Sequence, residues 1–144
     1  MEFNLDRWVG HITENAMKQI SDAFSRRLKN TGVTRIQWIA MFYINRNEFI
    51  SQRELSKLMN FQESSATRLI ERMEREDFIT KVPSELDKRV TFVKLTQNGE
   101  NLFKSLLPYG DEFNNDLIED IDEDDLDTFE RVLEQMTKNI TKAK

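Results

Sequence analysis

The chain has 144 residues and a formal net charge of −5, with 33% charged and 38% apolar residues. That length suffices for one domain with its own core, or for a small domain plus a dimerisation appendage. The absence of cysteine excludes disulfides, thiolate zinc sites and thiol redox sensing. The longest apolar run, Trp38 to Ile44, is too short to span a bilayer, and the first residues lack the basic-then-apolar order of a secretory signal. We therefore expect a cytoplasmic protein without a membrane partner.

Charge is distributed unevenly along the chain. Residues 111–134 hold 12 acidic residues and the single base Arg131, so the remainder carries 20 basic and 14 acidic residues. Only the local potential matters where a protein meets a phosphate. A basic segment can therefore bind DNA although the whole chain is acidic. The acidic block is interpreted as a solvated face kept away from DNA.

The first helix is predicted from about Leu5 to Lys29, because apolar residues recur there at three- and four-residue steps. Gly32 is predicted to end it. A second helix is predicted to begin at Thr34, because Thr34 and Gln37 have the spacing of a capping box. Its apolar run, Trp38 to Ile44, has no polar face, which predicts the central element of the core.

A helix-turn-helix is predicted next. Ile50 is expected to add a very short strand to the sheet that follows. Ser51 starts a second capping box, which opens a short helix over Gln52–Met59. Leu55 and Leu58 are predicted to face inward from this helix.

Helix four is predicted from Glu63 to about Glu76, after a turn at residues 60–62. Its apolar residues fall on one face, and a polar and basic stripe runs separately along the helix. The apolar face comprises Ala66, Leu69, Ile70 and Met73, and the other stripe comprises Ser65, Arg68, Arg72 and Arg75.

Two β-prone runs follow, Phe78–Val82 and Val90–Leu95. Between them lie Asp87, Lys88 and Arg89, three charges that cannot be buried cheaply. The two runs therefore predict a hairpin with a charged, mobile tip. A cationic hairpin beside a cationic helix is the arrangement of a winged helix-turn-helix on DNA.

Two further helices are predicted after the hairpin. Thr96 is expected to cap helix five, and Pro108 is expected to kink it, because proline lacks an N–H and crowds the preceding turn. Asp122–Asp125 place negative charge at the positive end of helix six. Helices one, five and six carry apolar stripes wider than a monomer of this size covers. We infer that they pack together and against a second copy.

These features resemble the MarR family of bacterial transcription regulators. The motif Asp-x-Arg at 87–89, a strand, and then Leu-Thr-x-x-Gly at 95–99 resemble that family's wing signature. The helix over 65–74 resembles its recognition helix, and length and helix order extend the likeness over nearly the whole chain. Asp77 departs from it, standing where the family often has glycine.

The resemblance implies a mainly α fold with a small β-hairpin wing. Residues 34–96 would form a winged helix-turn-helix DNA-binding region, and residues 1–31 and 97–144 a helical dimerisation region. It also implies an obligate homodimer, and we expect a repressor of transcription. The two recognition helices of a dimer would read a pseudo-palindromic operator with half-sites about one helical turn apart, ~34 Å. No cofactor or metal is expected.

Position along helix four separates the DNA roles, because the N-terminal turn of a recognition helix reaches base edges. Later cations are backbone anchors or partners of Glu71 and Glu76. Arg89 is expected in the minor groove, where narrow A·T tracts concentrate negative potential. Lys88 would contact a phosphate, and Asp87 would hold the wing in shape. The expected readers are Gln62, Ser64, Ser65, Thr67 and Arg68, and the expected anchors are Arg72 and Arg75.

An effector site is a further hypothesis, since the resembled family often binds small aromatic or phenolic acids between its two regions. The candidate lining residues are Trp8, His11, Trp38 and Phe42, although aromatic residues at helical spacing are more often core, and a single histidine is a poor metal site.

Catalysis is disfavoured, because four glycines supply no phosphate-binding loop and His11 has no visible nucleophile partner. The alternative function is a winged-helix module that binds a protein instead of DNA.

Overall fold

The structure, a computed structural model, describes residues 2–142. It divides into two compact units, Met1–Gly110 and Asp111–Lys144, with the boundary inside the fifth helix. The helices are α1 (Val9–Arg27), α2 (Arg35–Arg46), α3 (Gln52–Leu58), α4 (Glu63–Arg75), α5 (Gln97–Leu117) and α6 (Glu123–Thr141), and the strands are β1 (Phe49–Ser51), β2 (Ile79–Pro83) and β3 (Thr91–Leu95). The predicted mainly α fold with a small wing is confirmed.

The first helix differs from the prediction at both ends. A short 3₁₀ turn at Leu5–Arg7 precedes Trp8, which has extended backbone, so α1 begins only after it. The prediction of one continuous helix from Leu5 is wrong, because the Asn4 side chain caps the Asp6 amide and closes a separate turn. At its other end α1 stops before Asn30 and Gly32, which both have left-handed backbone.

The second helix is the centre of the core, as predicted. Its capping box is formed: the Gln37 amide donates to Thr34 Oγ1 at 3.2 Å, and the Thr34 amide donates to Gln37 Oε1 at 3.1 Å. Ala40, Met41 and Ile44 are completely buried. The capping bonds fix where α2 starts, and the apolar run that follows packs against the sheet and α3.

The sheet is antiparallel with strand order β1-β3-β2. Ile50 lies opposite Val93, and Ile79 lies opposite Leu95, and all four side chains are buried in the core. The short strand predicted at Ile50 is confirmed. In α3 the inward position of Leu55 is confirmed, but Leu58 is 43% exposed and its prediction is wrong. A two-turn helix buries only a narrow face, and α3 completes that face with Ser56.

The hairpin is joined to the end of α4 at Asp77. This residue has φ of +61°, so it adopts the left-handed conformation that glycine adopts most easily. Its carbonyl accepts the Thr96 hydroxyl at 2.6 Å, and Thr96 Oγ1 in turn accepts the Gly99 amide at 2.9 Å. The predicted cap of α5 is therefore formed. A Cβ on Gly99 would lie 2.0 Å from the carbonyl oxygen of Phe78, so only glycine allows this approach.

In the second unit, α6 begins after Asp122 with Glu123, Asp124 and Asp125 in its first turn. This places negative charge at the positive end of the helix dipole, as predicted. None of its described residues is buried.

In the part of the chain that the structure describes, no helix is long and apolar enough to cross a membrane. α5 continues through Pro108, and the kink there stays a prediction.

We expect Gly99→Ala to lower the free energy of unfolding by about 1–3 kcal/mol or more, because the new methyl group meets rigid backbone rather than a movable side chain. Urea unfolding followed by circular dichroism measures the change. Gly10→Ala is the matched control. A Cβ there lies 3.4 Å from the Trp8 ring, an ordinary contact, so stability should be unchanged or slightly higher. Equal stability of both variants would contradict the close approach at Gly99.

Candidate nucleic-acid interface

One face of α4 is free for a ligand because the opposite face is in the core. Ala66, Ile70 and Met73 are buried at steps of four and three residues. Gln62 is the N-cap residue, and its side chain makes no capping hydrogen bond. The predicted base-reading residues Gln62, Ser64, Ser65, Thr67 and Arg68 are all exposed. The Thr67 hydroxyl donates to the Glu63 carbonyl at 2.9 Å, so towards a ligand it offers only its oxygen lone pairs and methyl group.

Further along α4, Arg72 is held inside the protein's own polar network. Its Nε donates to Glu76 Oε1 at 2.9 Å, and Gln37 Nε2 donates to Glu76 Oε2 at 3.3 Å. Gln37 is only 1% exposed, so the network reaches from the start of α2 to the surface of α4. Arg75 is exposed at the last position of the helix. The sequence showed Gln37 as a capping residue, but its contact with Glu76 spans 39 positions and has no local pattern.

The wing carries its arginine in a two-point contact with Asp87. Arg89 Nε and Nη2 each donate to an Asp87 carboxylate oxygen at 3.1 Å, and the Arg89 backbone amide donates to Oδ1 at 3.0 Å. These bonds hold the pKa of Asp87 below its ordinary value. The guanidinium makes the larger contribution and the backbone amide the smaller one. The Arg89 side chain stays 90% exposed, and Lys88 beside it is exposed too. The wing thus presents a cation whose direction is restrained.

Ser84 organises the base of this loop, and sequence analysis missed it. Its hydroxyl oxygen accepts the amides of Leu86 and Asp87 at 3.2 Å each, and its own amide donates to the Val90 carbonyl at 3.0 Å. Serine after proline at the end of a strand is a turn signal that could have indicated this role.

A cleft of about 480 Å³ lies where the start of α3, the exposed side of α4 and the wing meet. It brings together Thr67, Asp87 and Arg89, which sequence analysis singled out, with Arg53 and Glu63, which it did not. Two acidic and two basic side chains line it, so its charges are balanced.

The four candidate effector residues are only partly brought together. Trp38 and Phe42 are stacked with ring centroids 6.2 Å apart, and the Trp38 Nε1 donates to the Leu106 carbonyl at 2.9 Å. Trp8 packs against Phe3 instead, and His11 is half-buried on α1. Within residues 2–142, no ring contact joins Trp8 to Trp38. Their role as a ligand pocket stays a prediction. Over the same residues, no group of three acidic or histidine side chains could hold a metal ion.

These elements define a winged helix-turn-helix of the DNA-binding class. They are a short helix, a tight turn, a second helix with an exposed polar and basic face, and a hairpin whose loop carries a restrained arginine. A family model for the MarR family matches residues 31–90. The match covers α2, β1, α3, α4 and β2, so the chain is similar to the MarR family over its helix-turn-helix and the first part of its wing.

Individual relatives and solved structures show the same similarity. The uncharacterised HTH-type transcriptional regulator YybA of Bacillus subtilis is 25% identical over 134 residues, which are 93% of this chain and 87% of that protein. The structure of a mutant Escherichia coli MarR with operator DNA has a TM-score of 0.84 at 21% identity, covering 94% of this chain and 98% of that one. Bordetella bronchiseptica BpsR, whose DNA binding is regulated by 6-hydroxynicotinic acid, has a TM-score of 0.87 at 16% identity, covering 95% and 98%. All are named as regulators or DNA-binding proteins rather than enzymes.

The lowered pKa of Asp87 sets the pH range of the wing contact. A carboxylate whose pKa is lowered by folding stays ionised at any pH above its ordinary pKa, and so keeps its ion-pair partner there. The contact is lost only as the pH falls through the lowered pKa. We therefore expect the contact with Arg89 to be unchanged at neutral pH and to break only as the pH falls below the ordinary pKa of an aspartate. Carboxyl ¹³C NMR titration measures the midpoint. Arg89→Ala should move the midpoint up towards the ordinary value, because only the backbone amide bond to Asp87 remains, and Arg75→Ala should leave it unchanged. An unmoved midpoint in Arg89→Ala would show that the side-chain pair is not formed in solution.

Proposed function

We propose that this protein is a homodimeric repressor that binds a pseudo-palindromic operator and is released from it by a small aromatic acid. The observation that carries the proposal is the exposed polar and basic face of α4 beside the restrained arginine of the wing. These are the two elements that a winged helix-turn-helix inserts into adjacent grooves.

On α4, the first turns would read bases in the major groove. Arg68 carries a planar fork that matches the two acceptors of a guanine edge, and the short side chains of Ser64 and Ser65 allow the helix to approach closely. Arg72 is already paired with Glu76, so it serves as a backbone anchor whose position is fixed before binding. Arg75 would anchor a further phosphate.

On the wing, Arg89 would enter the minor groove and Lys88 would contact a phosphate. The contact with Asp87 is exposed, so its value lies in orientation rather than in stability. An arginine whose direction is already restrained loses less conformational freedom on binding.

Dimerisation is supported by apolar side chains that each unit leaves exposed. The first unit exposes Trp8, Val9, Ile12 and Met17 near its N-terminus, and the second exposes Leu117, Ile121, Phe129, Val132 and Ile140. Patches of this kind mark association surfaces. In the proposal, residues 1–31 and 97–144 form the dimer and residues 34–96 bind DNA. Repression follows from occupancy, because a dimer that covers two half-sites excludes other proteins from the same duplex.

An aromatic acid is the proposed effector class, with Trp8, His11, Trp38 and Phe42 as its candidate site. Trp8 is 54% exposed and Phe42 is 38% exposed, so both offer ring surface to a ligand. Release would work by population shift: an acid that prefers dimers with misplaced recognition helices lowers the affinity for DNA.

We expect Arg68→Ala and Arg89→Ala each to weaken operator binding, Arg68→Ala by about 1–3 kcal/mol because its hydrogen bonds to a base are removed. Both side chains are exposed, so fold and dimer should persist. Operator fragments are first selected from the source genome with purified protein, and affinity is then measured by fluorescence anisotropy. Arg131→Ala, which removes a base from the acidic block, is the matched control and should bind like the wild type.

Sedimentation measured on the same samples tests the homodimer. Wild type and both variants should sediment as dimers. A monomeric wild type would overturn the two-half-site proposal. If the wild type selects no duplex at low salt, the alternative, a module that binds a protein, replaces this function.

The effector proposal is tested through the two tryptophans, Trp8 and Trp38. We expect 6-hydroxynicotinic acid or a related aromatic acid to quench the tryptophan fluorescence of the wild type and to lower its operator affinity over the same concentrations. Trp8→Phe and Trp38→Phe should each show less quenching than the wild type, because each removes a reporter that belongs to the candidate site. Quenching without any change in operator affinity would separate binding from regulation and contradict the release mechanism.

A further inference from the structure

A second basic surface lies outside the helix-turn-helix and the wing. Two adjoining cavities of about 550 and 520 Å³ share Ser25, Thr34, Arg35 and Arg72 among their lining residues. Together they form one open depression, here called the basic recess, where the end of α1, the start of α2 and the outer stripe of α4 meet. It is distinct from the charge-balanced cleft beside the wing, with which it shares no lining residue.

The charge of the basic recess has one sign. Its lining contains no aspartate or glutamate. Among the described residues, only Arg72 of its five cations forms an ion pair. The cations are Arg26, Lys29, Arg35, Arg68 and Arg72. A depression lined by like charges concentrates potential and attracts anions.

The backbone adds to this potential. Thr34 is the N-cap of α2, and Arg35 and Ile36 in the first turn line the recess. First-turn amides have no acceptor within their own helix, and the helix dipole places partial positive charge at this end. The cationic side chains and the helix end therefore favour the same ligand, a group with several negatively charged oxygens.

The position of the recess indicates where that group comes from. Ser65 and Arg68 belong to the proposed base-reading face of α4, and both also line the recess. A duplex seated on α4 therefore carries its phosphates past Arg68 towards Arg35. We propose that the basic recess binds the DNA backbone next to each half-site, with Arg35, Lys29 and Arg26 as phosphate contacts beyond the recognition helix and the wing. This inference rests on the proposed operator binding and lengthens its footprint.

Salt dependence tests the inference, since each phosphate neutralised contributes about −0.9 to the slope of log affinity against log salt. The variant is Arg35→Ala combined with Lys29→Ala, measured by anisotropy on the operator and on an unrelated duplex. We expect the slope to become shallower by about 0.9 for each phosphate contact that the variant loses. The affinity for both duplexes should fall by a similar factor. Arg35→Lys keeps the charge and should keep the slope, and Lys142→Ala is the control for removing a positive charge elsewhere.

Each other outcome is decisive. Unchanged slopes, with a lowered melting temperature, would show that these cations only stabilise the helix ends, and would overturn the inference. Weaker binding to the operator alone would mean base reading instead and would overturn it too. Inorganic phosphate, added at constant ionic strength, gives a further test. If it raises the melting temperature of the wild type while the variant keeps the wild-type salt slope, the recess binds a free anion rather than DNA, and the inference fails. A wild type that binds no duplex would overturn the proposed function as well.

Discussion

The proposed DNA-binding surface depends as a whole on the junction at Asp77. There the end of α4, both long strands and the start of α5 are joined by short-range polar bonds: the Asp77 carbonyl accepts the Thr96 hydroxyl, and the Phe78 carbonyl accepts the Thr96 amide at 3.0 Å. Gly99 brings α5 close enough for this to happen. Because these bonds involve backbone, the wing cannot shift without breaking several of them. Helix α4 and the wing therefore form one preformed surface, which would lower the entropy lost on binding a duplex.

Two arginines of the α4 and wing surface are restrained in different ways. Arg89 is held by a neighbour two positions away and stays exposed, so its contact with Asp87 costs little and orients the side chain. Arg72 is held by Glu76, which is itself held by the buried Gln37. A buried polar side chain must keep its hydrogen bonds, so the position of Arg72 is coupled to the start of α2. The same region forms the basic recess, and the proposed phosphate contacts and the recognition helix therefore share one support.

The acidic net charge does not conflict with this function, because the two signs lie on different parts of the chain. The cationic lining of the recess and the wing belongs to the first unit, whereas residues 111–134 carry most of the acidic surplus. Local potential decides a phosphate contact, and like charge elsewhere keeps the protein from binding DNA through the wrong surface.

Local chemistry by itself determined much of this protein. The serine and threonine caps that start α2, α3 and α5 follow from patterns within a few residues, because hydrogen-bond capping acts over that distance. The strand at Ile50, the wing and the buried face of α4 follow in the same way from side-chain periodicity. The acidic start of α6 and the proximity of Asp87 to Arg89 are short-range for the same reason.

Tertiary structure decided what no short pattern contains. The sequence could not show that Leu58 is exposed. Helical spacing gives the direction of a side chain, but it does not show how wide a face of α3 the core covers. It could not show that Gln37 supports Glu76, or that Arg26, Arg35 and Arg68 line one recess, since these residues are far apart in the chain and only the packing of α1, α2 and α4 brings them together. Local order was readable because it depends on neighbours in sequence, whereas the recess depends on neighbours in space.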